Sequence, residues 1–261
     1  MNPFKLAFLY LRIGVMNELQ YRVNFFIQLL QSFIAIAIGL IGLSLVFAQV
    51  NELSGWNRNE LLAVMGVHIL MGGVIRAAIM PNMNRFMGDV QQGTLDFALA
   101  KPVDTQFLVS IREFSFWQLV DVVVGLVIVG VAVGLMQTTA SLWQALAFVA
   151  ALVMGALMIY SVYFMVTSLA FWIIRVDQIV NLFEGIYAAG RWPVGIYPDW
   201  LRTGLTFLVP VAFAVTVPAE ALTNRLTSLT LLGAFGLTVF LLILARSIWK
   251  LGLRSYSGAS A

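Results

Sequence analysis

The feature that most limits what this chain can become is a series of long apolar runs, some without a single charged residue, as at 24–48 and 142–174. A bilayer core about 30 Å thick is crossed by about 20 helical residues, so each run is long enough to span one. Backbone exposed to lipid must satisfy its own polar groups, which leaves a helix bundle or a closed barrel. Barrels are written as alternating segments of about 10 residues, a pattern these runs lack. The expected fold is therefore an all-α polytopic membrane protein. Composition agrees: 61% of residues are hydrophobic and 10% charged, where a soluble domain carries about 25% charged residues to cover its surface.

The organisation reads as one transmembrane domain over residues 1–261. Residues 1–22 form a helix lying in the membrane surface, with Phe8, Leu11 and Val15 on one face and Lys5, Arg12 and Glu18 on others. Six spans follow, at 24–48, 60–80, 116–136, 142–174, 179–194 and 228–249. Pro81 is expected to close the second span. The segment 82–113 after it carries Arg85, Asp89, Asp96, Lys101, Asp104, Arg112 and Glu113, so it belongs in water or against another protein. A turn at 137–141 joins the third and fourth spans. The stretch 191–227 is apolar but broken by Pro193, Pro198, Pro210 and Pro218. Such backbone is tolerated at membrane depth only inside protein or beside a water-filled cavity. It reads as an outer re-entrant segment, and the tail 250–261 as a basic, disordered end.

Basic residues orient the bundle. With six spans and a cytoplasmic N-terminus, Lys5, Arg12, Arg22, Arg85, Lys101, Arg112, Arg175, Arg246, Lys250 and Arg254 fall on the inner side. They outnumber Arg58, Arg191, Arg202 and Arg225 outside, which places both termini in the cytoplasm of a multi-pass cell-membrane protein. All 7 Trp residues fall near a proposed span end, where an amphipathic ring prefers the headgroup level.

Few residues can carry chemistry. Cysteine is absent and His68 is the single histidine, which removes thiolate sites, disulfides and the usual multi-histidine metal site. His68 reads as a hydrogen-bonded histidine packed between helices. No HExxH, GxSxG or Walker A pattern occurs, so no catalytic, metal or cofactor-binding residue is expected. The net charge of +3 is too small to point to nucleic acid. Gly39 with Gly42, Gly72-Gly73, and Gly125, Gly130 and Gly134 read as notches for helix packing. Asp121 and Glu184 are the carboxylates nearest hydrocarbon. Asp121 is expected to snorkel to the inner interface, whereas Glu184 either pairs with Arg191 or lines a polar path.

The run from Asp89 through Gly93-Thr94-Leu95-Asp96-Phe97-Ala98-Leu99 to Lys101-Pro102-Val103-Asp104 resembles the loop after the second span of type-2 ABC exporter permeases. Tyr197-Pro198, Pro210 and Pro218-Ala219-Glu220 are similar to the same branch of that family. The resemblance implies that Asp89, Gly93, Thr94, Leu95, Asp96, Phe97, Leu99 and Pro102 build a coupling helix docking on a cytoplasmic ABC ATPase. Leu95 and Leu99 would help to seat Phe97. It further implies ATP and Mg²⁺ on that partner, with none bound here, and a second permease as homodimer or homologous heterodimer within the lipid bilayer. One departure stands out: the family often carries glutamate in a more charged setting where Asp89 precedes Val90-Gln91-Gln92.

The expected function is a permease subunit exporting a substrate across the membrane. Glu184, Arg191, Phe207, Pro210, Phe213 and Pro218 are the candidate path or gate, the alternative for 191–227 being a plain outer cap. The rival functions are an ion-coupled secondary transporter or channel, which would favour related halves that are not visible here, and an intramembrane enzyme, which lacks a nucleophile motif.

Overall fold

The computed structural model describes residues 3–18, 22–136, 141–173 and 176–256. Most of the turn expected at 137–141, Arg175 and the last residues of the tail lie outside that set. Helices in chain order are α1 (Pro3–Glu18), α2 (Arg22–Phe47), α3 (Arg58–Val74), a π-helical turn (Ile75–Ile79), α4 (Met80–Gln91), α5 (Asp96–Leu99) and α6 (Thr105–Val109). Then come α7 (Leu119–Leu135), α8 (Leu142–Ser168), α9 (Asp177–Ala188), α10 (Asp199–Thr203), α11 (Val217–Leu222) and α12 (Ser228–Ser255). Among the described residues no strand is present, as the apolar runs require.

Five helical stretches are long and apolar enough to cross a membrane: Val23–Phe47, Arg58–Gln91, Phe116–Leu135, Leu142–Phe171 and Ser228–Ser255. The region read as a fifth span is shorter than expected. Its α9 has 12 residues, about 18 Å of rise, and continues into irregular turns rather than a full crossing. A bent pair follows, Asp199–Leu208 and Ala212–Leu222, with an angle of 77° between its arms. The bend lies at Pro210, whose missing N–H and restricted φ disrupt the helical ladder.

Contacts between loops define the two ends of the bundle. At one end, here the proximal end, Trp172 Nε1 donates to Ser255 Oγ at 3.0 Å, and Lys101 Nζ donates to the Tyr10 hydroxyl at 3.2 Å. At the distal end Arg225 donates to the Gly55 carbonyl and Gln144 to Asn224 Oδ1. Since α8 ends proximally and α12 begins distally, α9 and the bent pair together make one net crossing. The helices nearest the two termini therefore share the proximal end.

Distal helix starts are written in the sequence. Asn57 Oδ1 accepts from the Glu60 amide while Glu60 Oε2 accepts from the Asn57 amide, and Ser141 with Gln144 forms the same reciprocal cap. Thr227 caps α12 through the Thr230 amide. Each satisfies amides that lack an intrahelical acceptor.

Pro81 does not close the second span. The helix runs through it to Gln91, because the π-helical turn precedes it and the carbonyl deprived of its usual donor finds another. That carbonyl, Ala77 O, accepts from the Ser115 amide at 2.9 Å. Asn82 Nδ2 binds the Ala78 and Glu113 carbonyls, each at 2.7 Å. The returning segment thus pairs the backbone that proline disrupts.

The α3 and α7 helices approach each other closely. A Cβ at Gly125 would sit 2.5 Å from the Leu70 backbone nitrogen, and one at Gly73 would sit 2.8 Å from that of Val122. These glycines are packing notches, as small residues in membrane helices allow. Gly42, Gly130 and Gly134 instead face open space. At the proximal end Phe86, Phe164, Phe171 and Trp249 pack ring on ring, with Phe86 and Trp249 centroids 5.2 Å apart. Trp249 is buried, and so is Trp56, under the Arg225 guanidinium. These two therefore serve the core rather than a headgroup belt, whereas Trp143, Trp172 and Trp200 are exposed.

Candidate functional site

Polar side chains from several helices meet at one cavity of about 300 Å³. Ser32, Ala35 and Gly39 of α2 form one wall, and Glu184, Tyr187 and Arg191 of α9 and its following turn form another. The α3 helix supplies His68 and Met65 between them, and the π-helical turn supplies Arg76. The α2 residues, Met65, His68 and Arg76 belong to helices long enough to span a membrane, where ionisable groups are costly and ordinarily functional.

Asp121 lies at the centre of a buried hydrogen-bond cluster. It is 5% exposed; its Oδ2 takes the Arg76 guanidinium at 2.6 Å and Gln28 Nε2 at 3.0 Å, while Ser32 Oγ donates to Oδ1. Arg76 Nε reaches Gln118 Oε1 at 3.2 Å. The expectation that Asp121 snorkels to the interface is overturned: α2 and the π-helical turn after α3 supply three donors, so the carboxylate is held inside the bundle. A pair removed from water gains little net stability, and its worth lies in fixing one arrangement of α2, α3 and α7. Sequence spacing could not find this, because Gln28, Ser32 and Arg76 are joined to Asp121 only by tertiary packing.

His68 is packed between helices as expected, its ring stacked on Tyr187 with centroids 4.7 Å apart and planes 15° off parallel, but the ring hydrogen bond expected with that packing is not formed at Nδ1 among the described residues. The Tyr187 hydroxyl donates to the His68 carbonyl at 2.8 Å, joining α9 to α3. His68 Nδ1 is shut off from solvent without a partner among the described residues, against Gly190, where a Cβ would lie 3.5 Å away. Glu184 and Arg191 both line the cavity, and neither forms an ion pair among the described residues. The lining geometry is thus present, and the Glu184–Arg191 pair is not.

At the proximal end the segment after α4 is braced from within. Gly93 has φ +70°, the left-handed conformation that lets the chain turn after the helix, and Thr94 and Leu95 amides donate to the Asp89 carbonyl. The Asp89 carboxylate takes Thr94 Oγ1 at 3.2 Å and Arg112 at 2.5 Å. Asp89 therefore ties the turn to the returning chain. Leu95 is wholly buried, whereas Phe97 is 76% exposed and Leu99 38%. Of the three apolar side chains, only Phe97 and Leu99 face outward, and Leu95 is the root of the turn. Asp96 starts α5, and Pro102 lies in the bend leading to Asp104. Asp104 caps α6 through the Phe107 amide and is gripped by both terminal nitrogens of Arg246. The Arg246 hydrogen bonds hold its carboxyl below the usual carboxylate range.

The bent pair places its candidates differently. Pro210 and Pro218 are buried, Phe213 packs beside Met158 and Val162, and Phe207 is exposed. Gly155 of α8 lets this segment approach, since a Cβ there would sit 2.7 Å from Ala214 Cα.

No curated protein and no solved structure matches the chain. The description of the ABC-2 family transporter proteins matches residues 33–260, taking in all the spans from the middle of α2 onward, the cavity and the braced proximal turn. With the all-helical, membrane-spanning architecture this marks a permease component of a transporter, and the chain belongs to the ABC-2 family of transporter proteins.

Proposed function

We propose that the chain is the permease subunit of an ATP-driven exporter in the cell membrane, with ATP and Mg²⁺ held and hydrolysed on a separate cytoplasmic ABC ATPase. The observation that carries this reading is Phe97. It stands 76% exposed on a turn whose base is anchored by buried Leu95 and by the Asp89–Arg112 pair. An aromatic ring on a rigid base suits insertion into a partner's pocket, where single aromatic anchors supply much of the binding energy. The basic residues gathered at the proximal end, Lys5, Arg12, Arg85, Lys101 and Lys250 among them, support a cytoplasmic location for that end and both termini. On this orientation α1, whose Phe8, Leu9 and Met16 are exposed, rests in the inner membrane surface.

A second permease, identical or homologous, completes the path. Glu184 and Arg191 are exposed on the side of a single protomer, where lipid would leave them unsatisfied; a facing permease encloses them in water. The segment 191–227 closes this path on the outer side, with exposed Phe207 just before its buried bend. The decisive experiment is affinity purification from the native membrane. An ATPase subunit copurifies with the wild-type chain and is lost with Phe97→Asp, which still inserts and stays monodisperse. An isolated chain that transports on an ion gradient without any ATPase overturns the reading in favour of a secondary transporter. Crosslinking Phe207 positions of two permeases abolishes export if the segment gates, and full export after crosslinking reduces it to a cap.

A further inference from the structure

We infer that the cavity between α2, α3 and α9 receives the head of a zwitterionic amphiphile, its acid group at Arg191 and His68 and its ammonium at Glu184. The inference rests on the transport reading above and adds the chemical class of the molecule carried.

Three observations lead there. First, the charges. Arg76 is already committed to Asp121 and Gln118, so among the described residues the lining charges without an ion pair are Glu184 and Arg191, one of each sign. They are seven residues apart along α9 and the following turn, about 10 Å of helical rise. Side chains of their length, reaching toward each other, can grip two opposite charges separated by a few bonds. A purely anionic or purely cationic ligand would leave one of the two without a counter-charge in the cavity.

Second, the histidine. Its Nδ1 is enclosed beside Gly190 without a partner among the described residues. An unsatisfied buried donor is rarer than an unsatisfied acceptor, so the proton belongs on Nε2. That nitrogen has no protein partner among the described residues, and His68 lines the cavity together with Arg191, so the Nε2–H is the ring donor available to a ligand there. Together they offer an acid group a charge-assisted and a neutral hydrogen bond.

Third, size and access. A cavity of about 300 Å³ is at the small end for ligand sites, enough for a headgroup and too small for a polymer chain. One wall is α2, which carries a row of exposed apolar side chains, Phe26, Leu30, Phe33 and Ile41 among them. Beside such a wall an alkyl tail can stay in apolar surroundings while its head enters from the side.

The test uses the full chain purified in a neutral detergent, with native mass spectrometry of bound single-chain amphiphiles. The probes share one alkyl length and carry phosphoethanolamine, phosphoglycerol, trimethylammonium or maltoside heads. The phosphoethanolamine probe is expected to bind about tenfold or more tightly than the others, the scale of one charged hydrogen bond. Glu184→Gln should erase its advantage over phosphoglycerol, and Arg191→Gln its advantage over trimethylammonium. Equal retention of all four heads, or a preference that survives both substitutions, overturns the inference. So does a preference for the singly charged anionic probe. Because binding is read on the isolated chain, its failure leaves ATPase copurification unaffected, and the absence of a copurifying ATPase leaves this binding result standing.

Discussion

Arg76 and Asp121 meet at 2.6 Å across the α3–α7 contact, and the same carboxylate holds Gln28 and Ser32 of α2. Removing the acid leaves Arg76 without its counter-charge. Breaking a fully buried pair costs about 3–5 kcal/mol; the Arg76 side chain is 42% exposed, so about 1–3 kcal/mol is expected here. Asp121→Ala should lower the thermal midpoint in detergent, and Arg76→Met combined with Asp121→Leu should recover most of the loss. A double variant as unstable as the single one would show that the pair is not the cause.

Leu95 and Phe97, two residues apart, should behave oppositely. Leu95 is fully buried, so Leu95→Asp places a charge in the core and should reduce yield of folded protein. Phe97→Asp should leave folding and thermal midpoint unchanged while abolishing capture of the ATPase. Size-exclusion profiles and pull-downs of both variants decide it.

Gly125 and Gly130 form a matched pair on α7. A side chain at Gly125 runs into the α3 backbone, whereas nothing lies within 4 Å of one at Gly130. Gly125→Leu should destabilise by about 1–3 kcal/mol or more, the usual cost of overpacking, with Gly130→Leu near neutral. Thermal unfolding of the two variants side by side provides the comparison.

Asp104 gives the pH dependence. Its folded pKa is depressed by hydrogen bonds from Arg246, so its contribution is present above the ordinary aspartate pKa of about 3.9. It is lost as the pH falls through the depressed folded value. Wild type should be more stable than Asp104→Asn at pH 7, and the gap should close on acidification. A gap that widens toward acid would contradict the sign. The partners are half exposed, so the effect is small and weakens with salt.

Asn51 and Phe97 test the orientation, being exposed at opposite ends. In this cysteine-free chain, a cysteine at Asn51 should react with an impermeant reagent from outside and one at Phe97 only after permeabilisation. The reverse pattern would invert the proposed topology.

Much of this architecture is legible in the primary structure, because its cause is local. A run such as 24–48 meets a bilayer whatever its neighbours do, and Asn57 with Glu60 or Ser141 with Gln144 caps the helix that follows it. Pro210 likewise breaks its own segment. Where the reading went astray, a distant partner intervened. Pro81 looked like a stop until the Ser115 amide took the carbonyl it strands. Trp249 looked like an interface anchor, yet three phenylalanines enclose it. The motif around Phe97 was legible, but not that Leu95 turns inward.

What the chain determined by itself is the solvent it folds in, the secondary structure that solvent permits and the places where helices begin and break. Those follow from hydrophobic length and from backbone groups that water cannot reach. Only the tertiary structure decided which polar side chains share a cavity, that Asp121 is held by α2 and the π-helical turn after α3, and that Glu184 and Arg191 have no ion pair among the described residues. A charge in hydrocarbon must be met by something, but residues from 28 to 191 come within bonding distance only when separate helices pack, and no spacing along one helix encodes that meeting.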